Sequence, residues 1–413
     1  MKVETWGSWS VLAFLTLGLL GAGEPKPATW TQWGGPHQDF RADSQGLAAA
    51  WPAEGPRKLW SRDLGEGYSA ILAEAGRLYT MYRSGAEEVV VCLDATSGET
   101  IWERRYEQAP DASHIHQFGD GPRATPLLDG DNLYAIGVAG KLHCLNKADG
   151  AVRWSHDLWK DFGGTVLNHG YSSSPIAYKN AVITLVGGEG HAVVAFDKKD
   201  GSVVWKGLNH ANSYSTPRIF KVGGRDQMIV FMAKALIGVD PQTGALEWEY
   251  PHENQWGQNV NNPVLVDGHL FLSSIEAGAK GLKLTRNGDK TEVGEVWATR
   301  KIQFYHVTSV QDGDWVYGST GSQVHFMAAV NVKTGEIGWR ERGIAKANVV
   351  AADGRLIILD EDGKLYLATA KPDGFQIHSQ AELLDKVAWT VPTVVDKTLF
   401  VRDKKKIMAV DLG

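Results

Sequence analysis

Apolar and polar positions alternate along most of this 413-residue chain, in short runs interrupted by turn sequences. The turns share a spacing in which a Gly follows an Asp or Asn by four residues and a Trp follows that Gly by four. The spacing occurs five times, beginning at Asp94, Asn146, Asp197, Asp240 and Asn331. An Asp or Asn can fold its side chain back onto the local backbone, and Gly accepts the positive φ of a tight hairpin loop. Each unit therefore predicts a β-hairpin.

The residues that flank each turn predict the faces of the two strands. Apolar β-favouring runs such as Val89–Val91 precede the turn. After it, the residues two and four places beyond the Gly, for example Val152 and Trp154, fall on one face by the strand period of two. We expect each outer strand to place this pair, an aliphatic residue and an indole, on the same face. The closely spaced Asp-x-x-x-Gly turns argue against helices, because they interrupt each run after a few residues.

Tryptophans mark the repeat along the chain at intervals of about 40 to 50 residues, which is typical of four-stranded propeller blades. They are Trp60, Trp102, Trp154, Trp205, Trp248, Trp297 and Trp339, which we expect to be structural. Trp297 belongs to a unit without the Asp–Gly turn. A further degraded unit, Lys371–Gly374, has His378 at the Trp place. The count predicts eight blades, with seven as the alternative.

The two ends of the repeat region complement each other. Trp60 has no Asp-x-x-x-Gly turn before it, whereas the terminal segment 407–413 contains the Asp half of the unit and stops. Pairing of the first strand with the last would close a ring and remove the free edges that a solenoid must cap. The predicted fold is all-β: an eight-bladed propeller of four-stranded antiparallel blades over residues 58–413, closed by its terminal strands.

The residues before the propeller predict export. Lys2 is followed by the apolar run 11–20 and small residues at 21–23, the order found in a cleavable secretory signal peptide. The run is shorter than the about 20 apolar residues of a membrane-spanning helix. We expect a signal peptide over 1–23, a lead-in segment over 24–57 and a periplasmic or extracellular mature chain that does not span a membrane. No cysteine stands directly after the run, so a lipoprotein is not expected. An uncleaved anchor or a buried N-terminal helix is the alternative.

Charge and cysteine content narrow the classes of function. The 42 basic and 48 acidic residues leave a net charge of −6, which argues against a nucleic-acid binder. Cys92 and Cys144 occupy equivalent places in two repeats, and neighbouring sheets lie about 10 Å apart, beyond the about 7 Å limit for a disulfide. We expect two buried free thiols and no disulfide scaffold. The chain also lacks the residues for a paired Cys-x-x-Cys zinc site.

The D-x-x-T-G-x-x-x-W signature resembles that of the PQQ-like repeats in quinoprotein dehydrogenase-like propellers, and the resemblance covers nearly all the mature chain. In size the chain is similar to the propeller lipoprotein of the outer-membrane barrel-assembly machinery and to exported PQQ-like propellers of planctomycete-type bacteria. The segments 30–36 and 121–126 resemble the last group. The resemblance is specific for the fold and weak for activity, because such folds host unrelated functions.

Candidate site residues lie where each predicted blade begins with its innermost strand. If the ring is right, these stretches converge on one mouth of the central channel, and convergent aromatic and hydrogen-bonding groups in a concavity are a candidate binding site. The residues are Tyr68, Arg123, Tyr171, Tyr214, Asn261, His306, Lys346, Asn348 and Trp389. The alternative is that the aromatic residues simply plug the channel.

The resemblance implies a test for quinone chemistry. In the enzymes of the family, the quinone lies on a tryptophan beside a calcium ion held by carboxylate and amide oxygens, with an aspartate base and a disulfide of adjacent cysteines. Here the two cysteines are far apart, and none of the channel stretches contains Asp or Glu. Calcium takes about six to eight oxygen ligands. We therefore predict that this chain has the propeller fold of these enzymes without their catalytic residues. We expect neither pyrroloquinoline quinone nor calcium as a cofactor. The pair His114 and His116 lacks a third ligand, so no metal site is predicted.

The leading hypothesis is a non-catalytic exported propeller that binds a protein, peptide or glycan in the cell envelope through its channel mouth or loops. We expect a monomer, with an envelope-assembly scaffold as one role. A redox enzyme of the pyrroloquinoline quinone-dependent dehydrogenase type is the alternative. A hydrolase or lyase using His306 or His169 is a third hypothesis, for which the sequence offers no partner residue.

Overall fold

The computed structural model describes residues 1–3, 28–320, 324–344 and 346–413. Over these ranges, eight four-stranded antiparallel sheets follow one another along the chain, and most consecutive strands are hairpin neighbours. Within these ranges the helical elements are a 3-10 turn, His116–Phe118, and a short α-helix, Leu158–Phe162. Apart from its first three residues, the predicted signal peptide lies outside the described residues.

The first four blades share one plan, with a short inner strand, two buried middle strands and an exposed outer strand. Blade 1 comprises Leu72–Glu74, Arg77–Ser84, Glu87–Asp94 and Thr100–Glu107; blade 2 comprises Leu127–Asp129, Asn132–Ile136, Lys141–Asn146 and Val152–Asp157; blade 3 comprises Ile176–Tyr178, Ala181–Leu185, Gly188–Asp197 and Val203–His210; blade 4 comprises Arg218–Val222, Arg225–Phe231, Ala235–Val239 and Leu246–Pro251.

The last four blades repeat this plan, and two of them recruit strands from the beginning of the chain. Blade 5 comprises Val264–Val266, His269–Ser274, Gly278–Asn287 and Lys290–Thr299; blade 6 comprises Phe304–Asp312, Trp315–Thr320, Phe326–Asn331 and Ile337–Arg342; blade 7 comprises Asn348–Ala352, Arg355–Leu359, Lys364–Lys371 and Gly374–Glu382, with Arg41–Ala42 added; blade 8 comprises Thr393–Val395, Thr398–Arg402, Lys406–Asp411 and the early strand Arg57–Asp63.

The ring closes within blade 8, where the early strand pairs antiparallel with the last one and places Trp60 opposite Ala409. The fully buried Arg402 reinforces this closure by donating hydrogen bonds to the backbone oxygens of Met81 (2.7 Å) and Gly65 (3.2 Å), at the start of the ring. The prediction of an eight-bladed propeller closed by its terminal strands is confirmed, and the seven-bladed alternative is wrong.

The repeated turns join each blade to the next. In blade 1, the Asp94 carboxylate accepts hydrogen bonds from the amides of Thr96 and Ser97, and Gly98 has a φ of 74°. The Trp60 ring lies on this Gly so closely that an added Cβ would be 2.6 Å from it. Its indole N–H donates to the backbone oxygen of Ala95 (2.9 Å). The tryptophan of one blade thus packs on the turn of the following blade.

The same packing on the glycine of the next turn recurs for Trp102, Trp154, Trp205 and Trp297, which lie against Gly150, Gly201, Gly244 and Gly335. Trp339 instead donates its indole N–H to the backbone oxygen of Lys371 in blade 7 (2.7 Å). Trp248 has no Asp–Gly turn to meet in blade 5, and it donates to the side chain of Gln227 in its own blade (3.0 Å).

The expected pairing of an aliphatic residue and an indole on one face of the outer strand is wrong. Val152 is 44% exposed whereas Trp154 is 8% exposed, because the register between the third and fourth strands shifts between these residues. A shift of this kind occurs in all eight sheets. The extra residue of a β-bulge reverses the alternation of faces, so the indole turns inward and the aliphatic residue faces outward.

The lead-in segment covers one face of the ring. In each blade, the first–second and third–fourth strand turns lie at the same end of the strands, and we call this end the turn face and the opposite end the loop face. Trp30 pairs with Ala73 beside such a turn, and the amide of Leu47 donates to the Asp353 carboxylate in another (2.9 Å). The segment 30–42 closes the channel at the turn face, where the buried Phe40 packs edge-on against Trp33.

Cys92 and Cys144 are free and buried in the third strands of blades 1 and 2. Burial raises the pKa of each thiol to about 11. Among the described residues, no helix combines the length and the apolar character that crossing a bilayer requires.

Candidate functional site

A cavity of about 170 Å³ lies on the channel axis. Most of its wall comes from connections between one blade and the next, so it opens toward the loop face, while Trp33 of the lead-in segment closes the other end. The lining residues are Trp33, Tyr68, Phe118, Arg123, His169, Ser172, Tyr214, Thr216, Gln258, Val260, His306, Val307, Asn348, Trp389 and Val391. The lead-in segment therefore makes the channel a blind pocket.

Six of the nine residues proposed from the sequence line this cavity: Tyr68, Arg123, Tyr214, His306, Asn348 and Trp389. They come from six different blade starts along the chain, and the closed ring is what brings them together. Asn348 also positions a neighbour, because its amide donates to the backbone oxygen of Trp389 (2.8 Å).

The other three proposed residues do not line the cavity. Tyr171 is fully buried, with its hydroxyl hydrogen-bonded to the backbone oxygen of Leu185, because its side chain turns into the blade core. Asn261 is also buried, and its amide donates to the backbone oxygen of Val307 (3.0 Å). Lys346 lies at the rim, where its ammonium is 5.6 Å from the centre of the Trp389 ring. The first two link strands, and the third borders the mouth.

Aromatic rings form an almost continuous wall around the cavity. Trp389 lies 5.7 Å from Tyr68, 5.3 Å from Phe118 and 6.1 Å from His306, measured between ring centres. His169 continues the wall at 5.9 Å from both Phe118 and Tyr214. Rings at such separations present flat apolar faces and polar edges, so the cavity suits a flat or apolar group.

Arg123 places a positive charge on this aromatic wall. Its guanidinium carbon lies 5.5 Å from the centre of the Tyr68 ring, and it donates hydrogen bonds to the backbone oxygens of Gly119 (3.0 Å) and Gly121 (3.1 Å). Burial lowers the pKa of Arg123 from its usual value, but a guanidinium stays protonated in proteins. The cavity therefore contains a fixed cation.

The other ionisable groups of the lining are neutral. Burial lowers the pKa of His306 to about 3 and also lowers the pKa of His169, while burial raises the pKa of Tyr68 to about 12. His306 has a φ of 57°, an uncommon backbone conformation for a non-glycine residue. Its ring stacks on Tyr305 at 3.8 Å. At neutral pH the described lining thus carries one charge, that of Arg123.

Carboxylates lie near the cavity but are engaged elsewhere. Glu66 pairs with Lys404 (2.8 Å), Asp120 pairs with His116 (2.7 Å), and Glu361 pairs with Lys346 (3.3 Å). None of the residues that line the cavity is Asp or Glu. The described residues also contain no group of three or more His, Cys, Asp or Glu side chains arranged to hold a metal ion. The lining thus lacks the carboxylate oxygens that calcium requires beside a quinone.

Several lining residues were missed by reasoning from the sequence. Phe118 lies in a 3-10 turn of the long connection between blades 1 and 2, and Gln258 lies in the connection between blades 4 and 5. Gln258 accepts a hydrogen bond from the Tyr305 hydroxyl (2.5 Å). The length of these connections was the sequence feature that could have indicated that they contribute to the cavity. Trp33 reaches the channel only because the lead-in segment folds under the ring, and it donates to the Asn262 side chain (2.9 Å).

Comparison with known proteins places this ring in a family. Residues 86–341 match the model of the family described as outer membrane protein assembly factor BamB. This chain belongs to that family. The BamB protein of Yersinia pestis is 25% identical over 360 residues, which cover 80% of this chain and 81% of that protein. The BamB protein of Shewanella oneidensis is 22% identical over 311 residues, which cover 71% and 76% of the two chains.

Solved structures similar to this BamB-family chain agree on the fold. The crystal structure of BamB from Moraxella catarrhalis aligns with a TM-score of 0.56 at 18% identity, covering 86% of this chain and 97% of that one. A quinohemoprotein alcohol dehydrogenase, ADHIIG from Pseudomonas putida HK5, aligns with a TM-score of 0.65 at 11% identity, covering 93% and 80%. The PQQ-like propeller predicted from the repeat is confirmed.

Proposed function

We propose that this protein is an exported, non-catalytic propeller that binds a protein, peptide or glycan partner of the cell envelope through its loop face. It acts in the periplasm or outside the cell, as a monomer and as a scaffold in envelope assembly. The names of its relatives, outer membrane protein assembly factors, support a role of this kind. Nucleic acid is not a partner, in keeping with the net charge of −6.

The distribution of exposed apolar side chains carries this proposal. From residue 28 onward, in the described part of the chain, the exposed large apolar residues fall into two groups. One group is spread over the outer strands of the blades, and the other lies in connections of the loop face: Ile115, Val166, Trp256 and Val324. Trp256 is 59% exposed. It lies two residues before the cavity-lining Gln258, and an exposed tryptophan is typical of the residues that dominate protein interfaces.

The two faces of the ring also differ in what covers them. The lead-in segment lies across the turn face and forms backbone hydrogen bonds there, including those between Trp30 and Ala73 and from Ala48 to Leu412. The loop face is formed by long connections around the open cavity. Binding residues are concentrated on loops held by a rigid scaffold, which favours the loop face as the binding surface.

Matched pairs of serine substitutions test the proposal. Ile115→Ser with Trp256→Ser alters the loop face, whereas Val152→Ser with Val204→Ser removes similarly exposed apolar groups from the outer strands. Full-length tagged proteins are expressed in the native host, cross-linked and purified from the envelope fraction. We expect the partner band to be lost with the first pair and kept with the second. Equal recovery with both pairs, or recovery of the wild type from the cytoplasmic fraction, would contradict the proposal.

A quinone-dependent dehydrogenase is the second candidate, favoured by the aromatic cavity on the propeller axis and disfavoured by its lining without Asp or Glu. The full chain is incubated with pyrroloquinoline quinone and calcium and then desalted. We expect no quinone absorbance to remain with the protein. Stoichiometric retention would replace the binding role with the redox one.

A further inference from the structure

The charged group of the cavity has unused hydrogen-bonding capacity. A guanidinium has five N–H donors, and among the described residues Arg123 donates to two backbone oxygens, those of Gly119 and Gly121. The nearby carboxylates of Glu66 and Glu361 pair with Lys404 and Lys346, and that of Asp120 is hydrogen-bonded to the His116 ring. Among the described residues Arg123 forms no direct ion pair, and a half-buried cation of this kind favours an anionic ligand because the surrounding protein screens the charge poorly.

The shape of the cavity indicates what the anion is attached to. Trp33 enters from the turn face, Val307 lies within the inner strand of blade 6, and Val391 lies two residues before that of blade 8. These residues give the blind end an apolar part, beside the polar side chains of Thr216 and Asn348 at a similar depth. Arg123 lies four residues before the inner strand of blade 2, nearer the open end. A ligand that fits this order has an apolar body inside and its negative charge toward the mouth.

We propose that the cavity binds a carboxylate carried on an apolar or aromatic body about the size of one amino-acid side chain. The carboxylate accepts two hydrogen bonds from the Arg123 guanidinium in the bidentate geometry that this group favours. The body packs among Trp389, Phe118 and Tyr214. The carboxylate can come from a free aromatic acid or from the C-terminal residue of a peptide, and the two sources share this chemistry.

Calorimetric titration of the full-length protein tests whether the negative charge of the ligand strengthens binding. The probe is N-acetyl-L-phenylalanine, and N-acetyl-L-phenylalaninamide serves as the uncharged match with the same body. We expect the acid to bind at least about tenfold more tightly than the amide, a difference of about 1.4 kcal/mol. Equal affinities, or no detectable binding of the acid, would overturn the proposal.

Substitutions test whether Arg123 causes the preference for the acid over the amide. Arg123→Gln should bring the ratio of acid to amide affinity close to one, whereas Arg225→Gln, which removes an exposed arginine paired with Asp289, should leave it unchanged. A tenfold ratio retained in Arg123→Gln would overturn the proposal. If that variant does not fold, Ser172→Trp fills the cavity while leaving Arg123 in place. It should abolish binding of the acid, and unchanged binding would overturn the proposal.

A pentapeptide ending in phenylalanine distinguishes the two sources. If the peptide with a free C-terminus binds at least as tightly as the acetylated amino acid, the site accepts a chain terminus. If only the single amino acid binds, the site is for a free acid. These titrations need no partner protein, so their failure leaves the proposed role of the loop face intact, and failure of the cross-linking experiment leaves the cavity proposal intact.

Discussion

Replacing Gly201 with alanine tests the packing between blades most directly. Gly201 closes the turn of blade 3 with a φ of 77°, and an added Cβ would lie 2.6 Å from the Trp154 ring of blade 2. Gly76→Ala is the matched control, because Gly76 has a φ of 73° and no atom within 4 Å of the added Cβ. Both variants introduce the same backbone strain, and only Gly201→Ala forces two blades apart.

The left-handed backbone costs an alanine about 1 to 2 kcal/mol, and overpacking of a well-filled contact costs about 1 to 3 kcal/mol. We expect Gly76→Ala to lower the free energy of unfolding by about 1 to 2 kcal/mol and Gly201→Ala by about 2 to 5 kcal/mol. Urea unfolding followed by tryptophan fluorescence and circular dichroism measures both. If Gly201→Ala is no more destabilising than Gly76→Ala, the indole is not held tightly against the turn and the account of blade packing is wrong.

Two further substitutions test buried polar groups. Arg402→Met leaves the backbone oxygens of Gly65 and Met81 without their donor, so we expect the free energy of unfolding in urea to fall by at least about 2 kcal/mol. The control Arg225→Met changes an exposed arginine and should cost less than about 0.5 kcal/mol. Similar losses for the two variants would refute a role of Arg402 in ring closure. Burial lowers the pKa of His143 from 6.5 to about 4, so the unfolded chain binds more protons between these pH values. The contribution of His143 to stability should therefore be complete above pH 6.5 and be lost as the pH falls toward 4, by up to about 1.4 kcal/mol per pH unit, in addition to the contributions of the buried His252 and His306. His143→Phe should reduce the measured slope by this amount, and an unchanged slope would show that His143 does not contribute to it.

The local chemistry of the turns was predictable because it depends on a few neighbouring residues. Asp94 and Gly98 behave as their types and spacing require, with an Asx-type turn and a left-handed glycine. The bulge that turns Trp154 inward was not predictable in this way. It depends on pairing with the strand Lys141–Asn146, and a strict period of two assigns Val152 to the wrong face.

The candidate site was predictable to the extent that position along the chain determines position in the ring. Tyr68, Arg123 and Trp389 line the cavity because they precede inner strands. Tyr171 occupies a similar place but turns into the blade core. Side-chain direction at a strand start depends on the packing of the neighbouring blade, which no local spacing encodes.

The amino-acid sequence alone determined the architecture. Seven hairpin units along the chain, five complete and two degraded, and two terminal fragments that complete an eighth blade leave a closed ring as the consistent solution. The tertiary structure decided the cavity: Trp33 closes the turn face, Phe118 and His169 join a wall built from distant parts of the chain, and Arg123 keeps no carboxylate partner in the described lining. The physical reason is that hairpin formation is local, whereas the shape and charge of a cavity depend on contacts between residues far apart in sequence.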